Sequence, residues 1–325
     1  MALPPNPVDM ASPITTRSTL ILEIAEAMAG TGPTRQFGQV KVLVRTQGEK
    51  DWPLCLFASS TVEGIDAVIN READLAIVNP ATPLALAYRG KSLYDKPHAL
   101  RGIAVIPSLD QFVFAVKRDT GLKTFEEIGQ KKHPLRLSMR AQMDHSIQFM
   151  IKDIALAAGF ALEDIKGWGG EVRYEGNLPF PNGPKFQALK RGTINAIFDE
   201  ACDVWLNQAL DEDMVVLPLS EATVKKLEAM GYRRSWVRKE SAPKLTEDIL
   251  TIDFSGWPVF VREDAADQFV TDVCAALDAR KDRIPWQGEG PLPIERMCRH
   301  APDTPQEIPL HPAAEAYWRK QGYLP

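Results

Sequence analysis

Apolar residues recur at helical spacing in several stretches of this chain, and most of those stretches run through a polar turn into a short uninterrupted apolar run. The clearest case is TVEGIDAVINREADLAIVNPATPLALAYRG, from Thr61 to Gly90. Ile65, Val68 and Ile69 lie on one helical face, Arg71 to Asp74 break the pattern, and LAIV at 75–78 has the continuous apolar character of a strand covered on both sides. Asn79 and Thr82 follow at the carboxyl end of that strand, where open α/β sheets receive small molecules.

The same alternation continues along the chain. Residues 18–29 read as a helix with Thr15, Thr16 and Ser18 near its start and Gly30 as its stop, and 40–46 as a strand. A helix over 60–70, a strand over 75–78, a helix over 83–88 and a strand over 100–106 follow. Residues 111–117 form a strand, 125–128 a helix that Thr124 can cap, and 135–138 another strand. Residues 146–158 form a helix ending at Gly159, 172–174 a strand, 185–190 a helix, and 194–198 a strand. FQALKRGTINAIFDE, from Phe186 to Glu200, repeats in type the segment from Val62 to Asn79: helix, charged turn, buried strand, polar end. A strand over 215–217, a helix over 221–230, strands near 249–254 and 259–261, and a helix over 265–279 complete the pattern before a proline-rich tail expected to wrap the fold. This βα order implies a largely parallel sheet in each of two α/β lobes. Lobe one takes residues 1–110 and 218–325, and lobe two takes 111–217, with two chain crossings forming a hinge.

Composition narrows the function. The 325 residues are 45% hydrophobic and 25% charged, and 38 Lys+Arg against 43 Asp+Glu leave a net charge of −5, which calls for neither nucleic acid nor an anionic membrane. Four scattered cysteines have neither CxxC nor Cys/His spacing, so no metal site and no disulfide framework is expected. No apolar run approaches the roughly 18 residues of a membrane span, and MALPPNPVDMASPITTRS lacks the pattern of a secretory signal. The expected compartment is the cytoplasm if Met1 is the native start, and the periplasm if the chain is a trimmed mature form.

Five segments together resemble the type II periplasmic-binding-protein fold, and more narrowly the TRAP-associated extracytoplasmic immunogenic (TAXI) solute-binding family. They are the Thr61–Gly90 stretch; residues 100–107 followed by QFVFAVKRDTGLKTFEEIG; the helix ending ALAAGF; LKRGTINAIFDE; and PLHPAAEAYWRKQGYL from Pro309. The resemblance implies a two-lobed α/β protein with a ligand cleft between the lobes that closes on a small carboxylated molecule, with no cofactor. A membrane transporter is the implied partner of an exported chain. The family's initial strand and glycine-rich loop are replaced by PVDMASPITTR, and its second glycine- and serine-rich turn by RAQMDHS. Those departures and the missing signal keep a second class open: a cytosolic, cofactor-independent decarboxylase or lyase acting on an aromatic or related carboxylic acid. The oligomeric state is not legible.

Particular residues can carry either function. Ser146 opens a helix, whose unpaired amides and positive dipole end attract a carboxylate, with His145 beside it. His145 is then a donor to a bound carboxylate or a general acid/base; alternatively Asp144 or Ser146 only caps the helix and His145 is a loop residue. Asp199 and Glu200 end a strand and complete the acid/base set of an enzyme. Trp168, flanked by glycines in KGWGGEV, is a stacking surface for a planar ligand. Thr61, with Ser59 and Ser60 in support, is the donor from the first lobe. Arg45 and Arg140 are the cations nominated to grip a carboxylate.

Overall fold

The computed structural model describes residues 20–22, 24–25, 39–44, 53–59 and 62–325. In chain order the elements begin with β1 (Val40–Val44), β2 (Leu54–Ala58), α1 (Glu63–Ile69), β3 (Leu75–Ile77), α2 (Thr82–Arg89) and β4 (Leu100–Ile106). Next come β5 (Val113–Lys117), α3 (Glu127–Gln130), β6 (Arg136–Met139), α4 (Ile147–Ala158), α5 (Asp164–Gly167) and β7 (Glu171–Tyr174). These lead to α6 (Pro184–Lys190), β8 (Ala196–Asp199), α7 (Cys202–Asp211), β9 (Met214–Val216), α8 (Glu221–Met230), β10 (Arg234–Val237) and β11 (Ile249–Ile252). The chain closes with β12 (Trp257–Arg262), α9 (Asp267–Arg280), α10 (Ile294–Met297) and α11 (Pro312–Lys320).

Two compact units result: residues 1–84, 98–108 and 256–325 in the first, and 85–97 and 109–255 in the second. Each is built on a five-stranded sheet, of order β1-β2-β3-β12-β4 in the first and β7-β6-β8-β5-β9 in the second. The sheets are mixed rather than largely parallel. β6 lies parallel to β7 and β8, whereas β5 runs antiparallel to both β8 and β9, and β12 does the same between β3 and β4. β5 and β12 each follow a chain crossing at 108/109 or 255/256, so no crossover helix dictates a parallel direction for them.

Residues 85–97, 109–110 and 218–255, assigned from the sequence to lobe one, belong to the second unit. β10 and β11 pair as an antiparallel ribbon, and Val237 and Ile249 from it sink into the same core as Val113, Phe186, Ile197 and Trp205. Burial of these apolar side chains fixes the segment there, worth about 1.5–3 kcal/mol for each large side chain. On the opposite face of that sheet Phe114 packs on Phe125 (4.4 Å between ring centroids) and edge-on to Phe198 (5.3 Å).

In the first unit the proline-rich tail is more than wrapping. α11 places Trp318 fully inside the core beside Ile103, Val261 and Cys274, and its indole Nε1 donates to the Ile103 carbonyl at 2.9 Å. That bond satisfies the one polar group the buried indole carries. Helix ends follow local chemistry: Ser220 caps α8 by accepting from the Thr223 amide, and Gly159 ends α4 in the left-handed region at φ +98°.

Candidate functional site

The second unit concentrates buried charge at one edge of its sheet. β6 and β8 are parallel neighbours, so their carboxyl ends meet at the same edge, where the chain supplies Arg140 after β6, and Asp199 and Glu200 at the end of β8. All three are buried, Asp199 completely. Arg140 Nε donates to Asp199 Oδ1 at 2.6 Å, and its Nη2 donates to Glu200 Oε1. A guanidinium is suited to this, since its fork can engage two oxygens at once. Arg140, nominated to meet a ligand carboxylate, is thus held first by two carboxylates of its own unit.

The surrounding loops lock this arrangement. Gln148 Nε2 donates to the carbonyls of Arg140 (2.8 Å) and Gln142 (3.1 Å), tying the loop before α4 to the helix. Trp205 Nε1 donates to the Glu200 carbonyl at 2.7 Å. Asp110 accepts from the amides of Gln111 (2.7 Å), Ala201 (2.7 Å) and Cys202 (3.3 Å), holding Ala201 at φ +56° and so fixing the turn that presents Glu200. Burial outweighs those amide bonds and pushes the Asp110 carboxyl up to about 7.

His145 lies on the same edge, buried, with its ring parallel to Phe254 at 6.0 Å between centroids. Its Nδ1 accepts from the Ile147 amide at 3.2 Å, and its Nε2 stands 3.5 Å from Arg140 Nη1. Ser146 precedes α4 and is almost wholly buried, yet its side chain makes no capping bond, so the helix-capping role belongs to the His145 ring instead.

Lys185, in the first turn of α6, completes the cluster. Its Nζ is 3.5 Å from Asp199 Oδ2, and burial lowers its pKa below the ordinary amine value, against the pull of Asp199. Burial likewise raises the Asp199 carboxyl, with Arg140 and Lys185 acting in the opposite direction.

Other sequence-nominated residues fall elsewhere. Trp168 ends α5 just before β7, whose first residue pairs with Arg136 at the start of β6; it therefore sits at the far end of these strands from Arg140 and packs on Phe160. Its glycines serve the backbone: Gly169 takes φ +90°, and Gly170 lies so close to the Leu135 carbonyl that no side chain fits. Asn79 and Thr82 belong to the first unit, at the end of β3 and the start of α2, with Thr82 buried. Thr61 and Arg45, with Ser60, lie outside the described residues. Lys185 and Asp110 were not foreseen. A lysine at a helix start and an acid before a strand read as solvated residues, and only their packing shows otherwise.

Two α/β units, each with its third-from-edge strand flanked by an antiparallel strand entering from a chain crossing, define a type II periplasmic-binding-protein-like fold. The chain belongs to the NMT1-like family, whose pattern matches residues 55–322. Among solved structures it is similar to the alkanesulfonate-binding protein SsuA of Xanthomonas axonopodis pv. citri bound to MOPS, at 14% identity and TM-score 0.32 over 66% of this chain and 58% of that one. PhnD1 of Prochlorococcus marinus with methylphosphonate aligns at 12% identity and TM-score 0.40, over 81% and 84% of the two chains. A TctC solute-binding protein from Polaromonas gives 13% and 0.35 over 64% and 65%. The alignment to SsuA thus spans less than two thirds of that protein's length. No curated protein is similar in sequence at a significant level.

Proposed function

We propose that this chain is a solute-binding protein whose second unit receives a small carboxylated molecule at Arg140 and His145. The observation that carries this is the pairing of two donors. Because Nδ1 of His145 accepts the Ile147 amide, a neutral ring carries its proton on Nε2, so Nε2–H and Arg140 Nη1–H face each other across 3.5 Å. A carboxylate oxygen beside them accepts from both with charge assistance. The start of the 12-residue helix α4, immediately after His145 and Ser146, adds its positive dipole end.

On the finer level we take the chain as a TAXI-like receptor that serves a TRAP transporter, on the support of the five resembling segments. A role beside a membrane transporter entails export, which fractionation of the native gene product checks. The binding reading is tested by thermal shift and calorimetry with acetate, benzoate, phenylacetate, succinate and glutarate. A carboxylate at about 100 times its Kd stabilises by about 2.7 kcal/mol, and His145→Ala reduces that gain. A panel in which no carboxylate raises the melting temperature refutes the reading. Conversion of a bound acid, followed by carbon dioxide release, would instead identify an enzyme using His145 with Asp199 or Glu200.

A further inference from the structure

One face of the second sheet carries polar atoms that the ion-pair cluster leaves over. Residues in register on parallel strands share a face, and Ser138 is in register with Arg173 of β7 and Ile197 of β8. Alternation then brings Ser138, Arg140, Glu175 and Asp199 to the face that α6 covers with Lys185, where Ile197 packs against Phe186 and Leu189. Ser138 Oγ, Glu175 Oε1, Lys185 Nζ and Asp199 Oδ2 are all buried there, and none has a hydrogen-bond partner. The approach nearest to one is the 3.5 Å ion pair between Lys185 and Asp199. Ser138 and Asp199 are wholly buried and Lys185 is 4% exposed. Burying a polar group unbonded costs about 1–3 kcal/mol, so Ser138 Oγ and Glu175 Oε1, beside a Lys185–Asp199 ion pair that is itself loosely closed, form a polar set built to be met by something.

We infer that these four residues form a hydroxyl-binding subsite beside Arg140, so that the molecule bound is a hydroxy acid. This deepens the carboxylate reading above and rests on it. Asp199 joins the two places: Oδ1 is taken by Arg140, and Oδ2 faces the subsite. The charges select the occupant. Lys185 repels a ligand ammonium, and Asp199 and Glu175 repel a second carboxylate. A neutral hydroxyl donates to a carboxylate oxygen while accepting from Lys185 or Ser138, so it satisfies both kinds of group. A pocket that hydrogen-bonds a hydroxyl rejects the analogue lacking it, because its own polar groups are then left unpaired.

The experiment is calorimetry on matched pairs: lactate with propionate, malate with succinate, 3-hydroxybutyrate with butyrate, and mandelate with phenylacetate. In at least one pair the hydroxy acid binds ten-fold or more tightly than its partner. Ser138→Ala and Lys185→Met, each checked for folding by circular dichroism, bring that ratio close to one. Ser138→Ala also leaves the unliganded melting temperature unchanged or raises it, since it removes a buried hydroxyl without a partner. Equal affinities within every pair, or a ratio unchanged in both variants, overturn the subsite while the carboxylate reading stands. Absence of binding by any acid overturns both.

Discussion

Replacing Arg140 by methionine removes the guanidinium held between two buried carboxylates, and the structure sets the size of the effect. The substitution keeps most of the side-chain volume but deletes the bonds to Asp199 and Glu200, leaving Asp199 with Lys185 at 3.5 Å. Breaking one partner of a buried ion pair costs about 3–5 kcal/mol, because the stranded charge loses its compensation without regaining water. Against a total stability of roughly 5–15 kcal/mol for a domain, that is a large share. With a slope of about 2 kcal/mol per molar, the urea midpoint of the second unit falls by roughly 2 M at pH 8. The pH dependence supplies the sharper check. Burial already holds the Asp199 carboxyl above its ordinary value, and without the guanidinium that opposes this it moves further up, so the variant loses stability relative to the parent as pH increases through the raised range. The gap from the parent protein is therefore full at pH 8 and narrows toward pH 4. Arg140→Lys restores the charge but not the fork and recovers part of the loss. A deficit under about 1 kcal/mol, or one that does not change with pH, refutes the assignment of this pair as a buried electrostatic knot.

Asp110, pushed up to about 7 by burial, and Asp253, pushed up to about 6 by burial, hold protons in the fold that the unfolded chain has already released. Stability should therefore fall as pH rises from 5 to 8, and Asp110→Asn should flatten the upper part of that slope; a parent protein equally stable at both pH values would contradict this. Ala201 sits at φ +56° before α7, so Ala201→Gly relieves about 1–2 kcal/mol of left-handed strain at a backbone entropy cost of about 0.5–1 kcal/mol. The melting temperature should hold or rise slightly, and a clear fall would show that the alanine methyl matters more than its backbone.

Parts of the architecture were readable from neighbours in the chain, and parts were not. The helix ending at Gly159 and the strand continuing into Asp199 show themselves through spacing and terminators, which are local properties. β2, LCLFA, escaped notice because a five-residue apolar run between Pro53 and Ser59 has no period to separate strand from core loop. β10, RSWV, was hidden by flanking arginines, whose guanidinia cover Trp236 on the surface while Val237 turns inward. α11 was masked by the prolines around it, although Pro312 occupies the first helical turn, where its missing N–H costs nothing.

The same division holds for the site. Sequence by itself determined which chemistry stands at strand and helix ends: a histidine and serine ahead of α4, an arginine after β6, two acids at the end of β8. Each reads as an independent candidate, because hydrophobic periodicity locates an end without saying which other end it adjoins. Only the strand order β7-β6-β8-β5-β9 decided that Arg140 meets Asp199 and Glu200 across 59 and 60 residues, that Asp110 braces their turn, and that Lys185 lies beneath them. Ion pairing depends on distances between segments remote in the chain, and burial, which gives those charges their energies, exists only once the core has closed.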